Sequence, residues 1–279
     1  MANTETKVLY GGDVEITFYP DSHRYKKAGD KGWLTSVTAI SGIIDKSRVL
    51  ILWAVGLADS YMKKFFEENS SNQFSSEELL PIITEALNQH NVKRDEAADT
   101  GSQVHDMAQR IGEALRDNKS IIEITDEISE LEKSLSNPDL TEEEIAKIQN
   151  VINGIQGFIN WVVDHQVKFI ECERMLYSRK HDYVGLTDAI IELDGKKYLI
   201  DYKTSKGVYS DMQYQLAAYT LAYEEETGEK LDGRALIHFD KLTGDFKVYE
   251  ISEEDNLKNQ NTFLACLIVK MREKELSKY

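Results

Sequence analysis

The chain has 279 residues, 41% of them hydrophobic and 29% charged, enough for one large core or a core with a sizeable helical insertion. Its formal net charge of −16, from 49 acidic against 33 basic residues, counts against a protein that coats nucleic acid non-specifically. No apolar run approaches the about 18 residues of a membrane span, so no membrane association is expected.

The N-terminus and the cysteines indicate the compartment. The first residues lack the basic and then apolar pattern of a secretory signal peptide. Cys172 and Cys266 are the two cysteines and lie far apart in the chain, which suits a reducing environment better than a disulfide framework. The sequence therefore predicts a cytoplasmic protein.

The first half of the chain is predicted to be a β-hairpin, over residues 14–36, followed by helices. Apolar residues at helical spacing predict a helix over 47–68, a second from the mid-70s to Gln89 and a third over 100–115. Residues 118–165 are predicted to be a helical hairpin with one solvated face. Its second helix should begin with a capping box formed by Thr141 and Glu144.

From Val167 onward the pattern becomes that of strands. The predicted elements, in order, are a strand to about residue 178, a hairpin over 188–204, a helix capped by Ser210, two strands within 233–252 and a C-terminal helix over 254–276. The predicted fold class is therefore α+β (mixed α/β), with the sheet packed between helices.

The hairpin over 188–204 brings charged residues together. Asp194-Gly195 between two apolar runs is a strong turn signal, because glycine tolerates the positive φ of a tight turn. With this turn, Asp188 lies directly opposite Asp201, their Cβ atoms roughly 5 Å apart. Lys203 lies two residues further along the strand and therefore on the same face.

Two interpretations of this pair of carboxylates are open. Each aspartate could simply end its strand in water. However, like charges opposite each other destabilise a sheet, and the apolar residues around them indicate that the hairpin is buried. A divalent cation would resolve this conflict, because hard oxygen ligands suit Mg²⁺ or Mn²⁺.

The order of these motifs along the chain resembles the RecB-like branch of the PD-(D/E)XK nuclease superfamily. The motifs are Gly-Leu-Thr-Asp at 185–188, Asp-Tyr-Lys at 201–203, and Gln215 with Tyr219 on the next helix. An upstream Gly-Ser-Gln-Val-His at 101–105 fits the histidine pattern of that branch. The N-terminal hairpin and the segment that follows it also resemble phage-encoded exonucleases of this group. Thr187 replaces the proline of the name motif, as is common in RecB-like members.

The resemblance implies a role for each matching residue. Asp188 and Asp201 would be metal ligands and Lys203 the catalytic lysine. Tyr202 would offer its backbone carbonyl to the metal, which would be Mg²⁺ or Mn²⁺. His105 would be an additional ligand, although it could instead be a polar residue in the first turns of a helix.

Three further residues have open roles. Gln215 and Tyr219 lie one helical turn apart and resemble the family's pair beside the active site, although Tyr219 could simply be a core residue. Glu173 could be a further metal ligand or a solvated acid.

The remaining histidines are interpreted as structural: His23, His90, His165, His181 and His238. The two cysteines cannot supply the four ligands of the iron–sulfur cluster found in some relatives.

The fold implied is a restriction-endonuclease-like core, with a central mixed sheet flanked by helices. We expect a single nuclease domain over 1–279, made of an N-terminal hairpin region (1–46), a helical region that carries His105 (47–165) and a catalytic sheet core (166–279). The sheet region has a local population of basic residues: Arg174, Arg179, Lys180, Lys196, Lys197, Lys203 and Lys206. A DNA groove there requires the acidic runs 142–144 and 224–226 to face elsewhere.

The expected function is that of a metal-dependent deoxyribonuclease of the phage recombination or DNA-processing type. Because neither a zinc finger nor a basic recognition helix is evident, an exonuclease that recognises DNA ends is favoured over a sequence-reading endonuclease. A recombination protein as a second partner stays open, as do polarity, strand preference, DNA against RNA, and oligomeric state. The alternative is an inactive nuclease-like module for DNA binding or protein interaction, although such relatives usually lose one of the four positions that are all present here.

Overall fold

A computed structural model describes residues 4–277, apart from the side chains of residues 96–100. Its helices are α1 Val37–Ser41, α2 Ser47–Glu68, α3 Ser76–Arg116, α4 Ile122–Ser134, α5 Glu142–Asp164, α6 Ser210–Thr227 and α7 Glu253–Leu276. Its strands are β1 Glu5–Leu9, β2 Val14–Tyr19, β3 Arg24–Lys27, β4 Thr35–Ser36, β5 Lys168–Ser178, β6 Tyr183–Leu193, β7 Lys196–Ser205, β8 Gly233–Asp240 and β9 Phe246–Glu250.

The strands form two sheets. A three-stranded antiparallel sheet has the order β1-β2-β3. A six-stranded mixed sheet has the order β4-β6-β7-β8-β9, and β5 also pairs with β6. In this second sheet, β4 runs parallel to β6 and β7 runs parallel to β8, whereas the other pairs are antiparallel.

Helices cover both faces of the six-stranded sheet. Successive side chains of a strand point to opposite faces, so Ile200 packs in one core cluster and its neighbour Leu199 in the other. Phe158 of α5 is fully buried in the first cluster, and Phe263 of α7 in the second. The predicted fold class, a mixed α+β fold with the central sheet between helices, is confirmed.

The chain divides into two compact units. One takes in the residues up to Ile44 and from Gln103 onward, and therefore holds both sheets. The other comprises Asp45–Ser102, with α2 and the first part of α3. Within this smaller unit, Phe65 packs against Phe74 with ring centroids 5.1 Å apart. That one nuclease domain spans both units stays a prediction.

Local sequence signals account for several element boundaries. Asp194 and Gly195 both adopt positive φ, of 51° and 73°, as the predicted tight turn between β6 and β7 requires. The capping box of α5 is present as predicted, because Thr141 Oγ1 accepts from the Glu144 backbone N–H and Glu144 accepts from that of Thr141. In the part of the chain that is described, no helix is both long and apolar enough to cross a membrane.

Four predictions of local structure were wrong. The second and third helices are one continuous helix, α3, because the segment between them is rich in good helix formers and lacks proline and glycine. β1 adds a strand before the predicted hairpin. Thr35, predicted to lie in that hairpin, pairs with Tyr183 of the larger sheet. The N-cap residue of α6 is Tyr209, whereas Ser210 is its first helical residue.

Candidate active site

The β6–β7 hairpin has the predicted register. Its pairs run from Leu193–Lys196 to Ala189–Ile200, and continuing them would place Asp188 opposite Asp201. Regular backbone pairing ends before that position, and hydrogen bonds between side chains and backbone connect the two strands there. Thr187 Oγ1 donates to the Ile200 carbonyl at 3.1 Å, and the Tyr202 backbone N–H donates to Asp188 Oδ2.

Asp188 is held by two donors from different parts of the fold. Besides the Tyr202 N–H, its other carboxylate oxygen lies 3.2 Å from His105 Nε2, which α3 supplies. These two residues are 83 positions apart in the chain. The His105 ring also contacts the Tyr202 ring edge-to-face, with centroids 5.5 Å apart. The upstream histidine is therefore brought to the hairpin, as the resemblance implies.

Asp201 and Lys203 form an ion pair below the surface. Lys203 Nζ lies 2.5 Å from Asp201 Oδ2, and Asp201 is only 3% exposed. Although Oδ2 has this charged neighbour, it is buried and accepts no well-directed hydrogen bond within the described residues. Thus each carboxylate has its own partner, His105 for Asp188 and Lys203 for Asp201, rather than the bare repulsion predicted from the hairpin alone.

Gln215 connects the lysine to the N-terminal part of the chain. Its side-chain oxygen accepts from Lys203 Nζ at 3.2 Å, and its side-chain nitrogen donates to Ser41 Oγ at 3.0 Å. The Ser41 hydroxyl in turn donates to the Thr38 carbonyl at 3.3 Å. The sequence predicted Gln215 beside the site but missed Ser41, which lies 174 residues away and carries no recognisable motif.

Tyr219 is a core residue at the edge of the site. It is 4% exposed and packs in the cluster on the α6 side of the sheet. Its ring occupies the space beside Gly185, where an added Cβ would lie 2.4 Å from Tyr219 Cε1. The glycine of the Gly-Leu-Thr-Asp segment is therefore required by this close approach of an aromatic ring.

Glu173 lies on β5, the neighbour of β6 on the side away from β7, at the position opposite Asp188. Cys172 pairs with Ala189 and Arg174 with Thr187, so the position between them faces Asp188. Glu173 has a φ of 49°, uncommon for a residue within a strand. Burial, together with neighbouring carboxylates, raises the pKa of Glu173 above its ordinary value.

All the predicted site residues line one cavity of about 470 Å³: His105, Glu173, Asp188, Asp201, Tyr202, Lys203, Gln215 and Tyr219. The tip of the N-terminal three-stranded sheet and the start of α1 complete its wall, through residues such as His23, Tyr25 and Ser36. The cavity is therefore built from segments that lie far apart in the chain, from Phe18 to Tyr219.

Burial and neighbouring charges shift the pKa values of the ionisable groups in this cavity. Burial disfavours the imidazolium of His105, but the hydrogen bond with Asp188 and the negative charges of Asp188 and Asp201 together outweigh this and raise the pKa of His105. Burial also disfavours the Asp188 carboxylate, but His105 and Lys203 hold the pKa of Asp188 below its ordinary value. For Asp201, burial dominates and raises the pKa, with Asp188 adding to the effect.

The donor set suits a divalent cation. The buried carboxylate of Asp201 and the partly buried carboxylate of Asp188 face one cavity. Asp201 Oδ2 is a buried acceptor without a well-directed hydrogen bond from the described residues, which a hard cation would satisfy. Among the side chains that the structure describes, no three from His, Cys, Asp and Glu already stand in a metal-binding arrangement. The ammonium of Lys203 and the hydrogen bond of His105 occupy the carboxylates instead.

Four of the seven basic residues noted in the sheet region form ion pairs with acidic residues. Arg174 pairs with Glu171 and Glu226, and Arg179 pairs with Asp13. Lys197 pairs with Glu229, and Lys203 with Asp201.

Among the comparisons with known proteins, the match to a family profile identifies the class of protein. No curated protein matches the chain. Among solved structures, it is similar to a protein described as a "Putative exonuclease" from Eubacterium rectale, with 13% identity, a TM-score of 0.42, and coverage of 63% of this chain and 68% of that one. It is also similar to SSO0001, with 18% identity, a TM-score of 0.29, and coverage of 54% and 69%. A profile of the PD-(D/E)XK nuclease superfamily matches residues 73–276, which include every predicted site residue. This chain belongs to the PD-(D/E)XK nuclease superfamily.

Proposed function

We propose that this protein is a metal-dependent deoxyribonuclease that hydrolyses phosphodiester bonds from DNA ends. The observation that carries the proposal is the convergence of Asp188, Asp201 and Lys203 in one cavity, with His105 hydrogen-bonded to Asp188. Membership of a nuclease superfamily supports the reaction class.

Asp188 and Asp201 would hold the divalent cation, Mg²⁺ or Mn²⁺, with His105, Glu173 and the backbone carbonyl of Tyr202 as further candidate ligands. When bound, the cation supplies positive charge at the scissile phosphoryl group and acidifies the attacking water. The net reaction joins the water oxygen to phosphorus and breaks one ester P–O bond.

The protein's own groups position the reacting parts. Lys203 places a compact positive charge beside Asp201, where it can neutralise charge that develops on the phosphoryl oxygens. Gln215 orients this ammonium from α6. His105 and the Tyr202 N–H fix the orientation of the Asp188 carboxylate.

The assignment to DNA ends rests on the absence of a recognisable sequence-reading motif from the sequence. The test is digestion of end-labelled linear duplex, circular duplex and single-stranded DNA with each metal. Degradation of linear but not circular duplex is the expected result. Cleavage of circular duplex would make the enzyme an endonuclease, and no cleavage of any substrate would contradict the proposed function.

A further inference from the structure

A second cavity adjoins the candidate active site. It has a volume of about 710 Å³ and is lined by β3, the segment from Trp33 to Ala39 and the end of α7. His23, Tyr25 and Ser36 line both this cavity and the active-site cavity. The two cavities therefore adjoin at these residues, and together they are named the groove, with Asp188 and Lys203 in one part and Trp33 and α7 in the other.

An exposed tryptophan marks this part of the groove. Trp33 is 42% exposed, and Tyr19 meets its ring edge-to-face with centroids 5.2 Å apart. Arg24 and Lys26 lie over the Trp33 ring at 5.6 and 6.0 Å from its centroid. These distances are near the outer limit of a cation–π contact, and both cationic side chains belong to exposed residues. A flat ligand can therefore displace one of the two cationic side chains and stack on the Trp33 ring.

The groove is also locally basic in a strongly acidic protein. Arg24, Lys270 and Lys274 line the cavity, with one acid, Glu273. Within the described residues, these three cations have no carboxylate at ion-pair distance, whereas Lys258 and Arg272 of the same helix are paired with Glu254 and Glu275. Since the net charge is −16, this is a place where a polyanion meets cations that are not already neutralised.

We propose that the groove from Trp33 to the candidate active site binds an unpaired segment of a nucleic-acid strand, with a base stacked on Trp33 and phosphates contacted by Arg24, Lys270 and Lys274. An exposed aromatic ring among cations is the arrangement that holds single strands, because every unpaired base offers a face for stacking while its phosphates need positive charge. A base within a duplex is already stacked on its neighbours. This inference rests on the proposed function for the identity of the polyanion.

The experiment measures binding without cleavage. Fluorescence anisotropy of labelled oligothymidylate, blunt duplex and duplex with a single-stranded overhang is recorded in EDTA over a series of salt concentrations. Trp33→Leu keeps an apolar side chain but removes the stacking surface, so it should weaken binding to the single strand roughly tenfold or more. Trp33→Phe should restore most of the affinity. Binding to blunt duplex should change much less in both variants.

The cations are tested with a charge-matched pair of variants on α7. Lys270→Ala/Lys274→Ala should reduce the salt dependence of single-strand binding, by about 0.7 in the log–log slope for each phosphate that the protein no longer neutralises. Lys258→Ala/Arg272→Ala removes the same number of positive charges from ion-paired positions and should leave the slope near that of the wild type. Equal effects of the two double variants would show general charge attraction and would overturn the proposed groove.

Further measurements distinguish a loss of strand binding from a loss of folding and from an absence of nuclease activity. Melting temperatures establish whether each variant is folded. If Trp33→Leu is not folded, Lys270→Ala/Lys274→Ala and its charge-matched control test the groove. A folded Trp33→Leu variant that binds single strands as tightly as wild type would overturn the inference while leaving the proposed nuclease activity intact. Single-strand binding that depends on Trp33, in a protein that cleaves nothing with either metal, would support the inference and contradict the proposed function.

Discussion

The ammonium of Lys203 is bound on one side by Asp201, at 2.5 Å, and on another by the side-chain oxygen of Gln215, at 3.2 Å. Because the Asp201 carboxylate is buried, this lysine balances the charge of the site, and in the proposed function it would also act on a phosphate. The two roles can be separated by experiment.

Lys203→Ala should abolish cleavage and also destabilise the metal-free protein. Removing one partner of a buried ion pair leaves the other uncompensated, at a typical cost of about 3–5 kcal/mol, which protonation of Asp201 would reduce. A divalent cation should then raise the melting temperature of the variant at least as much as that of wild type, since it replaces the missing positive charge. Thermal scans with and without Mn²⁺ measure this; a variant that neither cleaves nor gains stability from metal would point to a purely structural lysine.

Asp188→Asn and Asp188→Ala separate charge from hydrogen bonding. Asparagine keeps an acceptor for the Tyr202 N–H, and the weaker attraction to His105 is offset by relief of repulsion from Asp201, so the metal-free Asn variant should have nearly wild-type stability. Alanine leaves a buried N–H without a partner, which should cost about 1–3 kcal/mol. Denaturant unfolding compares the variants, and neither should cleave DNA. Equal stability of the two would mean that the hydrogen bond from Tyr202 contributes little.

His105→Ala should weaken binding of Mn²⁺ more than binding of Mg²⁺, because imidazole is a softer ligand than carboxylate. Isothermal titration of each metal into the variant gives the two changes in affinity. His165→Ala, which removes a histidine outside the candidate site, is the control and should change neither. Equal weakening of both metals, or none, would return His105 to a structural role beside Asp188.

Gly185→Ala should destabilise the protein, by about 1–3 kcal/mol, since overpacking forces neighbours to move. The new Cβ would lie 2.4 Å from Tyr219 Cε1 and 2.9 Å from Val37 Cγ2. Gly207→Ala is a matched control, because no atom of the described residues lies within 4 Å of its added Cβ. Denaturant unfolding should place the control near wild type; if both variants unfold alike, the close approach of Tyr219 to Gly185 is wrong.

The thiol of Cys172 should react slowly at neutral pH. Burial raises the pKa of Cys172 to about 11, so only a very small fraction is thiolate at pH 7, and the thiolate is the reactive form. The rate of reaction with a disulfide reagent should therefore keep rising with pH into the alkaline range, where the thiolate fraction grows. Cys172→Ser identifies the contribution of this residue, because Cys266 is a second thiol. Rapid labelling of Cys172 at pH 7 would contradict the burial of its thiol.

The sequence by itself determined the local structure of the β6–β7 hairpin. Asp194 and Gly195 favour a tight turn, and side-chain alternation with period two then fixes which residues share a face. The positions of Asp188, Asp201 and Lys203 along this hairpin followed from those two rules. The order of motifs, compared with a known family, was enough to assign the superfamily.

Only the tertiary structure decided what surrounds those residues. The contacts of His105 with Asp188 and of Gln215 with Ser41 join segments 83 and 174 residues apart, and no local pattern specifies such distances. The neutralisation of Arg174, and the absence of such pairing at Lys270 among the described residues, likewise depend on which acids folding brings nearby. Local conformation follows from backbone sterics and periodicity, whereas charge balance and cavities depend on packing between distant segments.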